Sequence, residues 1–120
     1  MQNIVSKQTA IALREAGFPH PATVEYGQRW YSCNAELFHI SPPLDKTGIS
    51  PYRWFACYPA YAPTTDEIFQ QIPSLASLFF DIDTWVCQVT EPGGLWLISE
   101  EDENPAEAVA AAWLAYNRNK

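Results

Sequence analysis

Apolar positions recur at helical spacing in three stretches of this chain, and they alternate or run together in several others. Val5, Thr9, Ala12, Leu13 and Ala16 share one face of a helix predicted over Ser6 to Ala16. Gly17 is its left-handed stop, with Phe18 and Pro19 completing the signature. Pro19-His20-Pro21 then reads as a stiff extended linker. Gln28 to Cys33 and Glu36 to Ile40, rich in aromatic and branched residues, predict a hairpin turning at Asn34-Ala35. Ser41 to Pro51 holds three prolines and one glycine and reads as a long surface loop. Beyond it, Tyr52, Trp54, Ala56 and Tyr58 alternate against Arg53, Phe55 and Cys57, the period of a strand over Tyr52 to Tyr58.

The second half opens on a capping box. Thr64 is placed to accept from the amide of Glu67, and Glu67 to reach back, so a short helix starts there. Ile68, Phe69 and Ile72 form its inner face, and Pro73 ends it. Asp81 and Asp83 fit a turn ahead of the next strand. Thr84 to Thr90 and Leu95 to Ser99 predict a second hairpin around Pro92-Gly93-Gly94, with Trp85, Cys87 and Val89 on one face of its first strand. Leu95 to Ile98 is apolar on both faces, the pattern of a covered strand.

The acidic run Glu100 to Glu103 leads into the last helix, where its charge sits at the positive end of the helix dipole. Asn104 is the cap, Pro105 the first helical residue and Glu107 the third. Val109, Ala112, Trp113 and Tyr116 form its main buried face. Ala108, Ala110, Ala111, Leu114 and Ala115 make its other side apolar too. That side is either enclosed within the fold or meets a partner subunit, and the enclosed reading leads because alanine is also the best helix former.

Runs of strands between isolated helices predict one α+β domain over residues 1–120. An antiparallel sheet of four or five strands packs with two or three helices, in the order α-β-β-β-α-β-β-α. Composition changes this picture at four points. The chain has 120 residues, nearly half of them apolar and 14% aromatic, enough for a core without metal or disulfides. Its net charge of −7 disfavours binding to nucleic acid and to anionic membranes. No apolar run is long enough for a membrane helix. Cys33, Cys57 and Cys87 are odd in number and widely spaced, which predicts reduced, buried thiols in a cytoplasmic chain.

Two elements together carry a likeness. Pro63-Thr64-Thr65-Asp66-Glu67-Ile68, with Pro73 beyond it, and Asn104-Pro105-Ala106-Glu107-Ala108 leading to Trp113-Leu114 flank a Trp-bearing hairpin. In this the second half of the chain resembles small uncharacterised bacterial proteins carried by phages and mobile elements. The resemblance implies an accessory protein of such an element and supplies no catalytic residue.

Candidate chemistry is sparse. Cys33, His39, Cys57 and Cys87 lack the close ligand pairs of a structural zinc site, so neither metal nor other cofactor is expected. Cys33 and His39, facing across the first predicted hairpin, are the one candidate nucleophile–base pair, and with nearby carboxylates they define an alternative reading as a small enzyme or ligand-binding protein. Asp81, Asp83 and the Glu100 to Glu103 run lack the spacing of a calcium loop. The sharper expectation is an aromatic groove. Tyr52, Trp54 and Tyr58 on one strand face, with Tyr61 beyond and Pro42, Pro43 and Pro51 at the rim, have the residue types that anchor partners. The expected role is therefore a non-enzymatic interaction protein that meets a protein partner or a second copy of itself.

Overall fold

The computed structural model describes residues 4–72, 75–90, 93 and 97–118. The protein is α+β, and among the described residues it has four helices and two three-stranded antiparallel sheets. The elements are α1 (Lys7–Glu15), β1 (Arg29–Tyr31), β2 (Leu37–His39), α2 (Pro51–Phe55), β3 (Ala60–Tyr61), α3 (Thr65–Gln70), β4 (Leu75–Asp81), β5 (Thr84–Thr90), β6 (Leu97–Asp102) and α4 (Pro105–Arg118). The chain divides into two compact units, one of Ser6–Ala62 and one of Met1–Val5 with Pro63–Lys120.

In the 6–62 unit, α1 begins where Ser6 accepts a hydrogen bond from the Thr9 amide. It ends in a Schellman motif. Gly17, at φ 88°, lets its own N–H reach Arg14 O and that of Phe18 reach Leu13 O. The hairpin β1–β2 pairs Trp30 with Phe38, and β3 adds to the other side of β1 through Trp30 and Tyr61. Its turn falls at Cys33 to Ala35, with Ala35 in the left-handed region at φ 70°. Val24, Trp30 and Ile40 are the fully enclosed core, with Phe38, Trp54, Phe55 and Tyr61 packed on it.

The loop from Ser41 contains a cis bond between Pro42 and Pro43. It is tied down by bonds from the Ser41 amide to Asp45 and from the Gly48 amide to Val24 O.

Two expectations are corrected in this unit. Residues 52–58 are not a strand, because Ser50 caps a helix and Pro51 opens it. The Ser50 hydroxyl accepts from the Arg53 amide at 3.3 Å, and Ala56 closes α2 in the left-handed conformation. The pre-set φ of proline and a satisfied cap outweigh alternation over seven residues. Cys33 and Cys57 are not reduced thiols either, since they form a disulfide with Cα atoms 6.5 Å apart.

In the other unit, β5 is the central strand, and α4 packs on β5 and β6 and also against α3. The register places Val89 opposite Ala76 and Ile98, and Cys87 opposite Leu78 and Glu100. Ile68, Cys87, Val89 and Val109 are enclosed on the inner side. The capping box of α3 is complete in both directions. Asn104 caps α4 by accepting from the Ala106 amide, and its own amide donates to Ile4 O, both at 2.9 Å.

The sequence reading missed β4 altogether. It pairs with β5 over seven residues and turns at Ile82-Asp83, where Ile82 takes φ 58°. Two further points differ. Glu100, Glu101 and Asp102 belong to β6 rather than to the lead-in of a helix. Leu97 is exposed on an edge strand, so that segment is not covered on both faces. Pro73, Pro92, Gly94, Leu95 and Trp96 lie outside the described residues. Ala108, Ala110 and Ala112 of α4 are fully enclosed and Ala111 is half-buried.

Candidate functional site: an aromatic cavity in the 6–62 unit

The site follows from how three elements of the first unit end. The Schellman turn of α1 fixes Leu13, Arg14 and Phe18 together. The capped start of α2 fixes Ser50, Pro51 and Tyr52. The stretch after the disulfide supplies Tyr58, Pro59 and Tyr61. With Ala10, His20 and Trp30, these residues line a cavity of about 180 Å³ that is open to solvent on the side of Tyr52 and Tyr58.

Its walls are mostly rings. Tyr52 and Tyr58 stand with centroids 5.0 Å apart, and Tyr61 meets Trp30 edge-on, also at 5.0 Å. His20 lies edge-on to Trp30 at 6.3 Å. The Trp30 indole N–H is already engaged, donating to Gln28 Oε1 at 2.9 Å, so this ring presents carbon to the cavity. Arg14 is the polar member. Its Nη1 donates to the carbonyls of Tyr58 and Pro59, both at 3.2 Å, which ties the helix to the wall opposite. No aspartate or glutamate lines the cavity among the described residues.

A second cavity, of about 210 Å³, adjoins the first. Arg14 and Tyr58 line both. Its other lining includes Lys7 and Ile11, which lie on the α1 face that carries Arg14, and Cys33 and Tyr31. The Lys7 ammonium donates to Cys33 O at 3.4 Å.

The structure divides the residues expected to form an aromatic groove. Tyr52, Tyr58 and Tyr61 come together in the first cavity. Trp54 does not; its ring packs against Phe55 and Phe38, and its N–H donates to Lys46 O at 2.8 Å. A helix separates Tyr52 and Trp54 by about 200° where a strand would align them. Pro51 is at the rim, whereas Pro42 and Pro43 are not among the lining residues. Sequence reasoning missed Leu13, Arg14, Phe18, His20 and Trp30. The signal for three of them was present, because a Schellman motif commonly brings together the residues at C3 and C″, here Leu13 and Phe18, on either side of Arg14.

The Cys33 and His39 pair of the enzyme reading is not assembled. Cys33 is bonded to Cys57, and His39 is exposed on β2 and lines neither cavity. Ser50 and His20 share the first cavity, but the Ser50 hydroxyl caps α2 and the His20 Nδ1 sits 3.1 Å from Pro21 O. Cys87 is a buried thiol, pushed up to about 11 by desolvation. No group of three or more metal-ligating side chains occurs among the described residues. Compared with protein-family models, curated proteins and solved structures, the chain matches none of them.

Proposed function

We propose that the protein is a non-catalytic binding protein that receives one aromatic or bulky apolar group of its ligand in the cavity of the 6–62 unit. The observation that carries this reading is the cavity itself, walled by Trp30, Phe18, Leu13 and three tyrosines. Aromatic side chains are the usual anchors of recognition sites, and Tyr52 and Tyr58 stand exposed at the mouth of this one. An apolar cavity of roughly 150 Å³ accepts a benzene ring, so about 180 Å³ suits a single ring or a branched aliphatic group. Wall positions are held from several directions, by the Schellman turn, by the α2 cap, by the two Arg14 bonds and by the disulfide beside Tyr58.

The resemblance to phage and mobile-element proteins concerns the second half of the chain and its helix caps. The cavity lies in the first half, so the reading rests on the cavity alone. The disulfide favours an oxidising compartment over the cytoplasm as the working location.

The test is an amide chemical-shift titration with p-cresol and indole. Binding is expected to move the amides of Leu13, Arg14, Phe18 and Tyr58 together and to saturate. Shifts that stay linear in ligand and spread over the surface would remove the proposal.

A further inference from the structure

Resting on that reading, we infer that the ligand is bipartite, with an apolar ring seated in the first cavity and a carboxylate seated in the second. The two cavities share Arg14 and Tyr58, so a molecule lying across that shared wall enters both. The first is aromatic. The second holds Lys7 as well as Arg14, and no aspartate or glutamate lines either among the described residues. Two cations with no lining acid make a place where an anion gains charge-assisted hydrogen bonds.

Arg14 commits only Nη1 to the carbonyls of Tyr58 and Pro59. A guanidinium has five N–H donors, which leaves Nε and Nη2 for an incoming oxygen. Lys7 makes one long bond, 3.4 Å to Cys33 O, and an ammonium has three donors.

The acidity of the whole chain does not oppose this. Residues 6–62 carry five basic side chains, Lys7, Arg14, Arg29, Lys46 and Arg53, against four acidic ones, Glu15, Glu25, Glu36 and Asp45, a net charge of +1. The remaining segments carry two basic and ten acidic side chains, a net charge of −8. The anion site lies on the unit that does not repel it. The ligand class is therefore an aromatic or branched-chain carboxylic acid, free or as the last residue of a peptide.

The experiment is calorimetric titration of the whole, oxidised protein with 3-phenylpropanoate and with 3-phenylpropanamide. Acetyl-Gly-Gly-Phe, ending in a free carboxylate or in an amide, forms the second pair. Lys7→Gln is the first variant, because it removes a charge without touching the Arg14 bonds that hold the wall. Arg14→Lys is the second, keeping the charge but not the fork. The acid is expected to bind about tenfold more tightly than its amide, the size of one charge-assisted hydrogen bond. Lys7→Gln is expected to erase most of that difference, weakening the acid far more than the amide. Preference for the small acid pair identifies a free acid, and preference for the peptide pair identifies a chain terminus; either supports the inference. Equal binding of acid and amide, or no change in Lys7→Gln, overturns the carboxylate while leaving the apolar cavity intact. No binding by any of the four overturns the cavity reading as well.

Discussion

At the scale of single residues, Asn104 has the most exactly defined duties. Its Oδ1 caps α4 and its Nδ2 holds Ile4 O, both at 2.9 Å. Replacing it with alanine removes both bonds, and a lost cap alone costs about 1 kcal/mol. Asn104→Asp keeps the cap acceptor and loses the donor to Ile4. In urea unfolding, Asn104→Ala is expected to be destabilised by roughly 1–2 kcal/mol, with Asn104→Asp between it and the parent. Equal losses in the two variants would show that the Ile4 bond, not the cap, carries the stability.

Cys87 makes a second residue-scale case. Burial raises its thiol from 9.0 to about 11, since the enclosed site disfavours the thiolate. An unfolded chain ionises this thiol near 9 and the folded one does so near 11. Its contribution is therefore complete below pH 9 and is lost as the pH rises through about 11. The loss amounts to roughly 2–3 kcal/mol at most. Urea midpoints measured at pH 8 and pH 10.5 are expected to fall further apart in the parent than in Cys87→Val, because the thiol is present in only one of the two and the rest of the chain is the same. Parallel falls would show that the thiol ionises as easily folded as unfolded.

At the scale of elements, what was legible in the sequence is what local chemistry decides. The caps of α1, α3 and α4 and the first hairpin were readable because each depends on residues within a few positions of one another. The segment 52–58 was misread because two local signals compete there. Alternation of Tyr52, Trp54 and Tyr58 points to a strand, while Ser50-Pro51 points to a helix start, and the cap decides. Asp81 and Asp83 did mark the turn between β4 and β5, but β4 itself was not read as its partner strand, since the hairpin passes through Ile82 at φ 58°, a position where glycine or asparagine is the usual occupant. The disulfide was not readable at all, because Cys33 and Cys57 are 24 residues apart and are brought together by the tertiary arrangement rather than by any local pattern.

That bond also sets the element-scale prediction. Loop closure over such a separation removes about 3.5 kcal/mol of unfolded-state entropy. Reduction, or the double change Cys33→Ala with Cys57→Ala, is expected to lower the stability of the 6–62 unit by roughly 2–4 kcal/mol. The fluorescence of Trp30 and Trp54, the tryptophans of that unit, reports it in denaturant titrations with and without reductant. Superimposable curves would mean that the loop is closed as tightly by packing as by the bond.

At the scale of the whole molecule, the −7 charge is not shared out. The 6–62 unit carries +1 and the remaining segments −8. Part of that excess is concentrated in one strand. Glu100, Glu101 and Asp102 sit on β6 opposite Cys87, Val86 and Trp85, so the register gives none of them a cationic neighbour on β5. Glu103 follows directly and Glu107 is in the first turn of α4, where the helix dipole offsets its charge. Like charges this close repel, and the repulsion acts on the folded sheet more than on an expanded chain. Raising the salt from about 10 mM to about 150 mM shortens the screening length from roughly 30 Å to 8 Å. The thermal midpoint of the acidic unit is therefore expected to rise by roughly 2–5 °C. Glu101→Lys replaces one of these carboxylates with a cation at an exposed position. It is expected to reproduce much of the gain at low salt and to flatten the salt dependence. A midpoint that ignores salt in both proteins would show that the acidic strand is already neutralised by its surroundings, and would leave the open edge of β6 as a surface whose charge answers to solubility rather than to folding.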